Sequence, residues 1–78
     1  MAKSVKVYHT PTCPWCIRAK QFLKDNNIDF QSIDVSVDQP AADEMMKKSG
    51  QMGVPVLDIE GEIIVGFDKE KIRQLLEI

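Results

Sequence analysis

Between Lys3 and Tyr8 apolar and polar side chains alternate, with Val5 and Val7 on one face and Lys6 and Tyr8 on the other. A period of two predicts a short strand. After the turn Thr10-Pro11-Thr12 the period changes. Trp15, Ala19, Phe22 and Leu23 stand at i, i+4, i+7 and i+8, the stripe of an amphipathic helix that runs out at Asp25-Asn26-Asn27. Residues 28 to 35 (Ile-Asp-Phe-Gln-Ser-Ile-Asp-Val) are rich in strand formers, but the apolar phase slips between Phe30 and Ile33. A bulge, or a strand covered on both faces, accounts for such a slip.

Asp38 fits an N-cap and Pro40 a first helical turn. Met45 and Met46 supply the apolar side of a second helix, and Lys47-Lys48 followed by Gly50 marks its end. Val56 to Ile59 and Glu62 to Val65 flank Glu60-Gly61, a two-residue connection with glycine where a positive φ is needed, which predicts a β-hairpin. Asp68 then caps a last helix carrying Ile72, Leu75 and Leu76. The order is β-α-β-α-β-β-α. A helical crossover makes its first two strands parallel and a hairpin its last two antiparallel, so the expected sheet has four strands, is mixed, and is flanked by three helices. This is the layout of the thioredoxin fold in its smallest form.

Seventy-eight residues, 44% hydrophobic and 28% charged, form one domain over 1–78 of ordinary soluble composition. The net charge of −2 gives no basic footprint for phosphate backbones, so nucleic acid is not an expected partner. No apolar run exceeds three residues and the start, Met-Ala-Lys-Ser-Val-Lys, has no hydrophobic stretch, so neither a signal peptide nor a membrane span is expected. The expected setting is the cytoplasm, and the expected state a monomer.

The chain has two cysteines, Cys13 and Cys16, three positions apart in Thr-Cys-Pro-Trp-Cys. In a reducing compartment thiols are seldom locked into structural disulfides, and a bond closing four residues would stabilise the fold by only about 2 kcal/mol on the loop-entropy model. A Cys-x-x-Cys opening a helix has different chemistry. Its first cysteine lies beside backbone N–H groups without helical partners, in the positive field of the helix dipole, a setting that favours thiolate. Cys13, in the loop at the cap, is the expected nucleophile. Cys16, one turn on and nearer the core, is the expected resolving thiol. Pro14 fixes φ at a first-turn position where its missing N–H costs nothing. Trp15 is either a partly buried aromatic of the helix stripe or a flat wall beside the thiols.

The segment Val7 to Lys20, V-Y-H-T-P-T-C-P-W-C-I-R-A-K, closely resembles the active-site region of glutaredoxins, with C-P-W-C for the commoner C-P-Y-C. Gly53 to Val56 (G-V-P-V) and Val65 to Asp68 (V-G-F-D) fall where that family has T-V-P and G-G-x-D. The resemblance spans nearly the whole chain. It implies a thiol-disulfide oxidoreductase that acts on protein disulfides or glutathione mixed disulfides, holds no bound cofactor and takes glutathione as co-substrate. It implies further that Pro55 is a cis-proline facing the thiols and that Val54 offers its backbone to a bound peptide or glutathione. Gly66, Phe67 and Asp68 would present N–H groups to a glutathione carboxylate, consistent with anion binding at helix starts. Asp68 also reads as a plain N-cap. Gln51 could reach the other carboxylate or be an ordinary solvated side chain.

Where many glutaredoxins have lysine this chain has Thr10 or Pro11; where they have threonine, a second glycine and a second acidic residue, it has Gly53, Val65 and Lys69. Each change removes a contact with glutathione. The stretch Gly66 to Ile72 (G-F-D-K-E-K-I) also resembles redoxins that donate electrons to ribonucleotide reductase and are reduced by thioredoxin reductase, although those lack the proline-aromatic pair between their cysteines. Glutathione and thioredoxin reductase both stand as expected partners. A third reading takes His9-x3-Cys13-x2-Cys16 as metal ligands. A closed zinc site wants four ligands, so this reading needs a borrowed acidic group or two copies around one ion or iron-sulfur cluster. His9 otherwise reads as a strand-end residue or a group that tunes Cys13. Met45, Met46 and Met52 read as packing, and Arg18 and Lys20 as a solvated face that adds positive charge near the thiols.

Overall fold

The two periodicities translate into seven elements in a computed structural model that describes residues 4–51 and 53–77. They are β1 (Val5–His9), α1 (Pro14–Asp25), β2 (Gln31–Asp34), α2 (Gln39–Ser49), β3 (Val56–Ile59), β4 (Glu62–Val65) and α3 (Lys69–Leu76). Lys3, expected to open the first strand, and Met52, expected to pack, lie outside the described residues. The strand order is β2-β1-β3-β4. β1 runs parallel to β2 and antiparallel to β3, which pairs antiparallel with β4. This mixed four-stranded sheet with three helices is the expected thioredoxin-type architecture. Among the described residues no helix is long and apolar enough to cross a membrane.

Alternation sorts side chains to the two faces of the sheet. Val5, Val7, Leu57, Ile59 and Ile64 point to one face, where they meet Ala19, Phe22 and Leu23 of α1 and Ile72 of α3. Tyr8 and Val56 point to the other, against Met45 of α2. The phase slip around β2 follows from this layering. Ile28 and Phe30 pack on the first cluster and Ile33 and Val35 on the second, while the pairing with β1 runs unbroken from Lys6–Gln31 to His9–Asp34. The strand is covered on both faces, and there is no bulge.

The caps are local chemistry and stand where the sequence puts them. Asp38 accepts from the Ala41 N–H at 3.1 Å, Asp68 from the Lys71 N–H at 3.2 Å, and Gly50 closes α2 at φ +73°. The hairpin turn needs positive φ at both Glu60 (+53°) and Gly61 (+89°), the type I′ geometry that matches strand twist; only the glycine was expected. Two buried-face assignments are corrected. Trp15 is 55% exposed, and the buried stripe of α1 is Cys16, Ala19, Phe22 and Leu23. Met46 is 44% exposed, and Ala41 and Ala42 join Met45 beneath α2.

Under α2 lies a polar knot. Lys48 Nζ stands 2.6 Å from Asp58 Oδ2 and 2.8 Å from Glu44 Oε1, and it donates to the Tyr8 hydroxyl at 3.0 Å. Asp58 is only 8% exposed and also accepts the Gly61 N–H at 2.9 Å, so every buried partner is satisfied.

Candidate active site

The end of β1 and the turn after it deliver Cys13 to the N-cap of α1, in extended conformation at φ −92° and ψ 110°. Its carbonyl accepts the first helical bond from the Ile17 N–H at 3.2 Å, and Pro14 begins the helix. The Cys13 side chain does the capping. Its Sγ accepts the backbone N–H of Cys16 at 3.2 Å, one of the donors a helix start leaves without a partner. Cys13 is half-buried and Cys16 fully buried, and both are free thiols. Burial, together with the bond to Cys13, pushes the Cys16 thiol up to about 11.

The wall opposite comes from the segment between α2 and β3. The Val54–Pro55 bond is cis, and the Val54 carbonyl accepts from the Cys13 thiol at 3.8 Å. Trp15, Val54, Pro55, Gly66 and Phe67 line a concavity of about 290 Å3 beside the thiols. Trp15 is therefore not a partly buried aromatic of the helix stripe; it lines this concavity, with the Arg18 guanidinium 5.0 Å from its ring centroid.

Not every expected contact group is available. Gly66, at φ +82°, donates its N–H to the Pro55 carbonyl at 2.8 Å; the bond ties the entry of α3 to the cis-proline and removes that N–H from any ligand. The N–H groups of Phe67 and Asp68 have no acceptor among the described residues, and the Asp68 carboxylate caps α3. Gln51 does not line the concavity. Its amide closes on Gly53, donating to the Gly53 carbonyl at 3.0 Å and accepting the Gly53 N–H. It therefore shapes the turn leading to Val54. A Cβ at Gly53 would lie 2.6 Å from Gln51 Oε1, so a threonine there would require this flexible amide to move.

His9 ends β1 with Nε2 2.6 Å from Ser32 Oγ; burial and the neighbouring Lys20 hold its pKa below the ordinary value. Among the described residues no group of three or more His, Cys, Asp or Glu side chains is arranged to hold a metal ion. Lys69 sits 5.6 Å over the Phe22 ring, a tertiary placement that no sequence spacing signalled.

The model of the family described as Glutaredoxin matches residues 5–64. A glutaredoxin-like 8.6 kDa protein from the rubredoxin operon of Clostridium pasteurianum is 51% identical over 73 residues, covering 94% of this chain and 97% of that protein. Glutaredoxin 3 of Escherichia coli K12 is 35% identical over 65 residues, covering 83% of this chain and 78% of its own. Among solved structures, a glutaredoxin from Archaeoglobus fulgidus superposes with a TM-score of 0.88 at 27% identity, over 97% of this chain and 88% of that one.

Proposed function

The chain belongs to the glutaredoxin family, and from that premise we propose a dithiol thiol-disulfide oxidoreductase in which Cys13 attacks and Cys16 resolves. The observation that carries this reading is the asymmetry of the pair: Cys13 is only half-buried and its sulfur receives a helix N–H, whereas the Cys16 thiol is buried and held at about 11.

The Cys13 thiolate attacks one sulfur of a substrate disulfide. The new S–S bond forms as the old one breaks, and the departing thiolate takes a proton from water. Cys16 then attacks Cys13 Sγ, and its proton passes to the second thiolate as that leaves. Two electrons have moved to the substrate, and a Cys13–Cys16 disulfide remains for a reductant to reopen. Trp15, Val54, Pro55 and Phe67 would hold the substrate backbone or glutathione against the sulfur. Phe67 and Asp68 would supply N–H groups to a carboxylate, and Gly66 would serve as a wall. No resident cofactor takes part, and the protein works as a cytoplasmic monomer on disulfide-containing proteins.

Glutathione is the first reductant in this reading, because the concavity and the N–H groups at the start of α3 suit a small carboxylate ligand. Reduction by thioredoxin reductase is the second. It is favoured by the Gly66 N–H being occupied and by a concavity of about 290 Å3, at the lower limit for a small-molecule pocket. Trp15 is the sole tryptophan and reports on the pair beside it. The oxidised protein is mixed with reduced glutathione, and in parallel with NADPH and thioredoxin reductase, while its fluorescence is followed. A fast change with glutathione alone supports the first reading, and a change only in the second mixture supports the other. No change in either would overturn the redox assignment.

A further inference from the structure

A larger concavity, about 550 Å3, lies between α1 and α3. Phe22 and Phe67, in edge-to-face contact with centroids 5.8 Å apart, line it. Its polar walls are cationic on both sides, with Arg18 on α1 and Lys69 and Arg73 on α3, against the single carboxylate of Asp25. That carboxylate is engaged by the Gln21 amide at 2.8 Å. Among the described residues the ion pairs within 4 Å are both made by Lys48, so none of the three cations is neutralised. Arg18 and Lys69 rest instead on aromatic faces. In a chain of net charge −2 this is a local concentration of positive charge around one opening, too small for a nucleic-acid backbone and suited to a few carboxylates.

The cleft adjoins the concavity that Val54 shares with Cys13, since Phe67 lines both and Arg18 stands 5.0 Å from the Trp15 ring centroid. Arg18 stands five residues after Cys13 in sequence, about 7 Å along a helix, a distance that two or three extended residues of a bound chain cover.

We propose that the α1–α3 cleft docks an acidic stretch of the polypeptide substrate, two to four residues from its reacting cysteine, with carboxylates set between Arg18 and the Lys69–Arg73 wall. This rests on the thiol-disulfide reading above and names the protein substrates that such a site would prefer. The apolar stem of a glutamate side chain would lie against the partly exposed Phe67 ring while its carboxylate meets the cations.

The test uses two disulfide-bridged peptides that differ only in having Glu-Glu or Gln-Gln two and three residues from one cysteine. Each is mixed with pre-reduced protein, and the second-order rate of oxidation is read from Trp15 fluorescence. We expect the acidic peptide to react about tenfold faster at low salt. That ratio should fall towards one in the Lys69→Gln/Arg73→Gln double variant, and in 0.5 M NaCl, where screening shortens to a few Å. The neutral peptide should react at the same rate in both proteins. A ratio near one in the unaltered protein, or a ratio that survives in the double variant, would overturn the proposal while leaving the redox reading intact. Slower reaction of a glutathionylated neutral peptide alone, with the acidic preference retained, would assign the cleft to the tripeptide and equally overturn it. Oxidation by neither peptide would overturn the thiol-disulfide reading and the proposal with it.

Discussion

The backbone N–H of Cys16 donates to the sulfur of Cys13 across 3.2 Å. In the proposed exchange this one residue would act at two moments. Its main chain would hold the attacking sulfur, and its side chain is a buried thiol, protonated at neutral pH because burial holds it at about 11. That contrast is what supports the proposed order of attack.

Exchanging either sulfur for oxygen should separate the roles. Cys13→Ser is expected to bring disulfide reduction down to background. Cys16→Ser keeps the N–H donor and loses only the second attack, so it should accumulate a covalent adduct with substrate, visible as added mass in the intact protein. Equal loss in both variants with no adduct would contradict this division of labour.

The buried thiol also predicts a pH effect. A folded-state value of about 11 lies above that of an unfolded cysteine, so the folded chain keeps a proton that the unfolded chain has released. The reduced protein is then fully stabilised at neutral pH and loses stability as pH climbs from about 9 to about 11, by about 3 kcal/mol at most. Tyr8, raised by burial, and Lys48, raised by its bond to Asp58, lose stability in the alkaline range too. The comparison is therefore between reduced wild type and reduced Cys16→Ala. Denaturant midpoints measured from pH 8 to 11 should fall more steeply in the wild type, and parallel slopes would refute the assignment.

Asp38 and Asp68 cap their helices in the same way, which makes each a control for the other. Asp38→Ala and Asp68→Ala should each cost about 1 kcal/mol in urea unfolding. Only Asp68→Ala should also raise the KM for glutathione, because only that cap directly follows Phe67, which lines the concavity. An unchanged KM would reduce Asp68 to its capping role.

Lys48 makes two ion pairs of similar length and unequal burial. Glu44 is half-exposed, so Glu44→Gln should cost less than about 1 kcal/mol. Lys48→Met leaves the Asp58 carboxylate buried with only the Gly61 N–H, and should cost about 2–4 kcal/mol. Burial raises the pKa of Asp58, but the Lys48 bond and the Gly61 N–H outweigh it and hold the carboxyl below the ordinary range. In Lys48→Met that value should rise, which NMR titration of the carboxyl carbon would detect.

Features that depend on neighbours in sequence were legible before the structure: the Cys13-Pro14-Trp15-Cys16 helix start, the Asp38 and Asp68 caps, Gly50, and the hairpin at Glu60-Gly61. Fold class followed from them because strand order and handedness admit few alternatives. What failed depended on the third dimension. A stripe one residue wide does not decide between Met45 and Met46, or between Trp15 and Cys16, until the sheet fixes the rotation of each helix. The Gly66 N–H looked free because its acceptor, the Pro55 carbonyl, is eleven residues away. Gln51 was judged by what it could reach outward, whereas its amide closes on Gly53. The α1–α3 cleft joins Arg18 to Arg73, a pairing no local motif announces.

The two faces of the sheet are unequally furnished. Among the described residues, nine buried side chains form the cluster beneath α1 and α3 and three the cluster beneath α2, which Ala41, Ala42 and the Lys48 knot supplement. Water competes for charged contacts far better than for apolar ones, so the amides of α2 should exchange with deuterium through smaller openings than those of α1. From Gly50 at its end, the chain runs within a few residues to Val54 and Pro55. A local opening of α2 would then slacken the wall across from Cys13 while α1 keeps its own attachment, and under the proposed activity this would make room for a protein-sized disulfide.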